Sequence, residues 1–84
     1  MYDVKFSKNA EKAYNKLPAN MRARIDQKIV YLRATPRGPD TKKLQGSQNT
    51  YRTRVGTYRI VFEISDGELL VWILDVDHRS SVYK

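Results

Sequence analysis

Residues 50–76 constrain the fold more than any other part of the sequence. Three runs rich in β-branched and aromatic residues, Thr50–Val55, Tyr58–Ile64 and Leu69–Val76, are separated by Gly56-Thr57 and by Ser65-Asp66-Gly67-Glu68. β-Branched and aromatic side chains suit a pleated, half-buried backbone, and Asp-Gly between such runs is a strong two-residue hairpin signal. The stretch therefore predicts a three-stranded meander. Side chains alternate across a strand, so Tyr51, Thr53 and Val55 share one side and Arg52 and Arg54 the other. In the next run Tyr58, Ile60, Phe62 and Ile64 form the apolar side, with Arg59, Val61 and Glu63 opposite. The apolar sides need cover, which leaves Arg52, Arg54 and Arg59 together on an open face. Three guanidiniums on one face repel one another unless an anion lies across them, and the planar fork of arginine grips phosphate bidentately. Cross-strand pairing with Glu63 and Glu68 is the competing expectation.

The preceding residues read as support for that sheet. Tyr2, Val4 and Phe6 alternate with Asp3 and Lys5, which predicts a short strand. Ser7 is placed as an N-cap. Ala10, Ala13, Tyr14 and Leu17 recur at helical spacing, with Lys8, Lys12 and Lys16 on the other side, and Pro18 ends this helix. After a short link, Asn20 is expected to cap a second helix, whose core stripe is Met21, Ile25, Ile29 and Leu32. Asp26 is spaced to pair with Arg22 on the same helix. Thr35-Pro36-Arg37-Gly38-Pro39-Asp40 stops this helix, and 41–49 reads as a loop anchored by Leu44. The order is β-α-α-β-β-β. It predicts an α+β fold with a helical hairpin packed on one face of a mainly antiparallel, twisted sheet, and residues 1–84 as one domain.

Composition narrows the chemistry. The 84 residues include no Cys and one His, so neither a disulfide staple nor a structural metal site is expected, and nothing calls for a cofactor. The N-terminal residues lack the apolar segment of a signal peptide, and the longest apolar run, Leu69–Leu74, is too short to span a bilayer. A cytoplasmic protein with no membrane partner is the expectation. The net charge of +7 is uneven: residues 1–62 hold 14 Lys or Arg against 4 Asp or Glu, whereas 63–77 hold 5 acids and no base. Such a basic excess favours a polyanionic partner, either nucleic acid or an acidic protein. No Ser-His-Asp set, no paired carboxylates and no glycine-rich phosphate loop are present. His78 reads first as a surface residue. Tyr83 reads either as a packing anchor or, near several arginines whose field favours phenolate, as a proton acceptor.

Taken together, Lys43-Leu44-Gln45-Gly46, Tyr51-Arg52-Thr53-Arg54, Tyr58-Arg59-Ile60-Val61-Phe62 and Asp77-His78-Arg79-Ser80-Ser81-Val82-Tyr83 resemble the RelE/ParE superfamily of bacterial toxins. The resemblance covers nearly the whole chain. The RelE branch implies a ribosome-dependent endoribonuclease that cuts mRNA in the decoding site and is held inactive by an acidic antitoxin. It implies Arg54, Arg59, Arg79 and Tyr83 as catalytic residues, with His78 as a reserve acid. Arg52, Lys42 and Lys43 would contact the RNA. Arginine stands where that branch often has lysine at positions 52 and 54, and Asp77 where it usually has glycine. The ParE branch implies instead a DNA gyrase inhibitor, and a third possibility is a basic RNA-binding module without enzymatic activity.

Overall fold

The computed structural model describes residues 1–78 of the chain. Seven elements follow one another: β1 (Asp3–Phe6), α1 (Lys8–Asn15), α2 (Ala19–Ala34), β2 (Thr41–Lys43), β3 (Thr50–Val55), β4 (Tyr58–Ser65) and β5 (Leu70–His78). They make one five-stranded sheet in the order β1-β5-β4-β3-β2, antiparallel except where β1 runs parallel beside β5. The predicted α+β arrangement is present, with one strand more than expected. β2 lies in the stretch read as a loop: Thr41 and Lys42 pair with Thr53 and Arg52. Two adjacent lysines have low β propensity, but at a sheet edge one side of the ladder suffices to hold them.

Ser7 makes the turn from β1 into α1. Its N–H donates to the Ile73 carbonyl (2.9 Å), its hydroxyl donates to the Leu74 carbonyl (2.9 Å), and its Oγ accepts from the Ala10 N–H (3.1 Å). The expected N-cap is thus also a tie to β5. Asn20 does not cap α2. The helix starts two residues earlier than that cap implies, at Ala19, with Pro18 at the cap position and no side-chain cap bond. Proline can stand there because the first helical N–H groups have no intrahelical partners anyway. Nor do Asp26 and Arg22 pair. Asp26 accepts a 2.6 Å hydrogen bond from the Tyr14 hydroxyl, which pushes the Tyr14 phenol above its ordinary pKa, while Arg22 donates to the Leu17 carbonyl. Both contacts join the two helices, a tertiary demand that overrides local spacing.

Ile25 and Leu32 of α2 and Ala10 of α1 are fully buried, as are Ile60, Phe62, Val71 and Ile73 of the sheet, and Ile64 is 2% exposed. Each such aliphatic or aromatic side chain contributes about 1.5–3 kcal/mol on burial. Tyr51 stacks on Phe62 (6.0 Å between centroids) on this same covered side. The β3–β4 hairpin turns at Gly56-Thr57, where Gly56 has φ +60°. The β4–β5 connection departs from the two-residue turn that Asp-Gly predicts. Ser65 pairs with Leu70 across a four-residue turn, 66–69, and Leu69 rather than Gly67 takes the left-handed conformation, with φ +51°.

Candidate RNA-binding face

The register settles which side chains lie side by side. Arg54 is directly opposite Arg59, and Arg59 is directly opposite Asp77. The neighbouring row on the same face is Lys42, Arg52, Val61 and Asp75. Directly opposed Cβ atoms in an antiparallel pair lie about 4.5–5.5 Å apart, and like charges there destabilise the sheet. Arg52, Arg54 and Arg59 therefore occupy one patch two rows deep, on the face away from the helices. Thr53, Val55, Ile60 and Phe62, which alternate with the outward-facing residues of β3 and β4, are buried beneath. Between Val61 and Phe62 the β4–β5 register shifts, so that Val61 faces Asp75 while Phe62 faces Ile73. The extra residue, Leu74, forms a bulge that adds local twist beside the patch.

Neither acid expected as a competitor is directly opposite a sheet arginine. Glu63 is opposite Thr50 and Trp72, and Glu68 accepts a hydrogen bond from the Ser65 hydroxyl. The ion pairs Lys28–Asp40 and Arg37–Asp66 use none of the three sheet arginines. Arg59 is half-buried, and its Nε is shut off from solvent with no hydrogen-bond partner among the described residues. An unsatisfied buried donor costs about 1–3 kcal/mol, more when charged.

The other sequence-derived residues divide. Lys42 lies in the Arg52 row, whereas Lys43 is opposite Tyr51 and so belongs by register to the covered side. His78 is exposed at the end of β5, opposite Tyr58, with ring centroids 5.1 Å apart in an edge-to-face arrangement. By register it alternates with the Arg59–Asp77 row instead of joining it. Arg79 and Tyr83 lie outside the described residues, the first of them directly after the end of β5. Asp77 was noted in the sequence only as a departure from a glycine; its place opposite Arg59 depends on the Leu74 bulge, which residue alternation alone does not reveal. Among the described residues no three His, Cys, Asp or Glu side chains gather into a metal-holding group.

Clefts among the described residues flank the sheet. The larger, about 750 Å³, lies between β1 and the helices and includes none of the sheet arginines. The smaller, about 340 Å³, lies between α2 and the β3–β4 hairpin and includes Arg54.

Comparison with known proteins finds relatives over nearly the whole chain. Residues 4–83 match the family described as the ParE toxin of type II toxin-antitoxin systems, parDE. The chain is 34% identical to the toxin RelG of Mycobacterium tuberculosis over 99% of its own length and 97% of that protein's. It is 29% identical to the mRNA interferase toxin RelE of Escherichia coli, covering 98% of this chain and 90% of the relative. The toxin fold also matches a chain of the intact E. coli RelBE toxin-antitoxin complex with a TM-score of 0.83 at 26% identity, over 93% of this chain and 96% of that one. The chain therefore belongs to the RelE/ParE superfamily, as a toxin of the type II toxin-antitoxin class.

Proposed function

We propose that this toxin is an mRNA interferase: an endoribonuclease that cuts mRNA in the ribosomal A site, works in the cytoplasm, and is neutralised by an acidic antitoxin. The single observation that carries this reading is the Arg54–Arg59 pair, two arginines directly opposed in register beside Arg52, with the Arg59 Nε buried and without a hydrogen-bond partner among the described residues. Curated relatives bear the names mRNA interferase RelE and toxin RelG, and a matching fold is found in a RelBE toxin-antitoxin complex. The family description, by contrast, is that of ParE. The patch favours RNA because charge-assisted guanidinium contacts suit the developing charge of a phosphorane.

In the chemistry proposed, the ribose 2′-oxygen attacks the adjacent phosphorus and the bond to the 5′-oxygen breaks. A 2′,3′-cyclic phosphate and a free 5′-hydroxyl result. Tyr83 takes the 2′ proton, Arg54 and Arg59 stabilise the extra negative charge, and Arg79 stabilises or delivers the proton to the departing oxygen, with His78 in reserve. Arg52 and Lys42 hold the backbone on the neighbouring row; Lys43, on the other side by register, is assigned only a peripheral contact. Arginine stays protonated, so none of the sheet arginines serves as the base.

Purified protein, an mRNA and programmed ribosomes provide the test. Primer extension is expected to show cuts in the A-site codon, with naked RNA cut far more slowly because the ribosome positions the 2′-hydroxyl for in-line attack. Tyr83→Phe keeps the ring and removes only the hydroxyl; as the base it should cost about a hundred- to ten-thousandfold in rate. No cleavage alongside inhibited DNA supercoiling would replace this reading by the gyrase one, and RNA binding without either activity would leave a binding module.

A further inference from the structure

The smaller cleft joins two surfaces that the sequence keeps apart. Arg24, Gln27, Lys28 and Tyr31 recur at helical spacing and present one face of α2 to the hairpin tip at Arg54 and Gly56. The Arg24 guanidinium lies against the turn backbone. A β-carbon added at Gly56 would stand 2.8 Å from one of its terminal nitrogens and 3.2 Å from its central carbon. Lys28 stands 5.0 Å from the centre of the Tyr31 ring and is ion-paired to Asp40. Arg24 and Arg54, both exposed, enter neither of the ion pairs formed among the described residues.

We propose that this cleft is a second phosphate subsite, taking a phosphodiester of folded RNA that lies beside the strand to be cut. This rests on the reading of the toxin as a nuclease acting within a ribosome. Arg54 lines the cleft and also stands opposite Arg59, so the basic surface runs continuously from the sheet, around the hairpin tip, onto α2. A cleft of about 340 Å³ lined by Arg24 and Arg54 admits a phosphate with its sugar. An acidic peptide fits less well. Its affinity draws on apolar anchors or a sheet edge, and the cleft's aliphatic side chain, Val55, is only 7% exposed. Gly56 has a role here beyond its turn conformation: a side chain at this position would collide with the Arg24 guanidinium and displace it from the turn.

Fluorescence anisotropy with a fluorescein-labelled RNA hairpin, titrated over a range of salt concentrations, tests the subsite. Arg24→Gln should weaken binding about tenfold at low salt and reduce the slope of log affinity against log salt by about 0.7–0.9, the amount for one phosphate contact. Lys8→Gln removes the same charge from α1, away from the cleft, and should change the slope by less than half as much. Arg24→Lys should restore most of the slope. Gly56→Ala should weaken binding with no change of formal charge. In programmed ribosomes Arg24→Gln should raise the half-saturating concentration and leave the saturated rate unchanged. A thermal melt matching wild type confirms that Arg24→Gln is folded. An unchanged slope, a loss equal to that of Lys8→Gln, or a loss confined to a glutamate-rich peptide of matched charge would overturn the proposal. The expected slope difference in a wild-type protein that cuts no mRNA would support the subsite while overturning the nuclease reading.

Discussion

Arg37, in the loop after α2, donates through all three of its guanidinium nitrogens, whereas Arg59, in the middle of the sheet, has a buried Nε with no acceptor among the described residues. Around Arg37 the fold provides a full set of partners. Its terminal nitrogens reach the two Asp66 oxygens at 3.0 and 2.9 Å, its Nε reaches the Tyr51 hydroxyl at 3.1 Å, and the guanidinium lies over the Tyr51 ring at 5.4 Å. Tyr2 adds a 2.7 Å bond to the same carboxylate. This clasp fastens the chain start, the loop after α2, the start of β3 and the β4–β5 turn. Around Arg59 the nearest opposed side chain on β3 is another arginine. The bonds of Arg37 are closed within the chain, whereas the Arg59 Nε is buried without an acceptor among the described residues and folding bears the cost.

Arg59→Ala breaks the comparison most severely. Losing one preorganised donor from the phosphorane should slow single-turnover cleavage in programmed ribosomes by about a hundred- to a thousandfold. The melting temperature should change little, because the substitution removes a buried unpartnered donor and a like charge opposite Arg54 but also the cation opposite Asp77. A marked fall in melting temperature with normal cleavage would show that Arg59 belongs with Arg37 as an architectural residue.

Arg37→Met is expected to act the opposite way. Cleavage should stay within about twofold of wild type, since Arg37 is outside the basic patch. The melting temperature should drop by at most about 4–8 °C, the scale of the strongest exposed ion pairs in a domain of this size. A rate loss without a stability loss would move Arg37 into the functional set.

These two arginines also mark how far the sequence could be read. Strict alternation in 50–64 places Arg52, Arg54 and Arg59 on one face, because a one-residue slip would expose Phe62 and Ile60. The core stripe of α2 was legible for the same reason, at period 3.6. Contacts between residues far apart in sequence were not. Asp66 is 29 residues from Arg37, and Tyr14 reaches Asp26 across a helix pair whose packing spacing does not encode. β2 was hidden by its two lysines, and the Leu74 bulge that puts Asp77 opposite Arg59 has no local sequence signature. Arg24, Lys28 and Tyr31 fall on one helical face in the sequence, but only the fold brings that face to Gly56.

The clasp carries its own pH signature. Asp66 is held below the ordinary carboxylate range first by its hydrogen bonds from Arg37 and then by that from Tyr2. A carboxylate whose folded pKa is depressed stabilises the fold fully above its unfolded value, about 4, and loses that contribution as pH falls through the lower folded value. The gap in melting temperature between wild type and Arg37→Met should therefore be constant near neutrality and close as the solution is acidified below about pH 4. A gap that persisted at the lowest pH at which both proteins stay folded would show that Arg37 stabilises through packing on Tyr51, not through Asp66.

The smallest expected effect lies in the turn that carries Asp66. Leu69 is 51% exposed and adopts φ +51°, a conformation that costs a residue with a β-carbon about 1–2 kcal/mol. Its N–H donates to the Asp66 carbonyl at 3.2 Å, so the strained residue closes the very turn that presents the clasp's carboxylate. Leu69→Gly removes the steric cost but adds unfolded-state entropy worth about 0.4–1 kcal/mol, leaving a net gain of about 0.5 kcal/mol in denaturant unfolding. The clasp should survive, so the acid dependence of stability should match wild type, and cleavage should be unchanged. If the substitution destabilises the protein instead, Leu69 is held by side-chain contacts that outweigh its backbone cost. If the acid dependence disappears, the left-handed leucine is what aims Asp66 at Arg37.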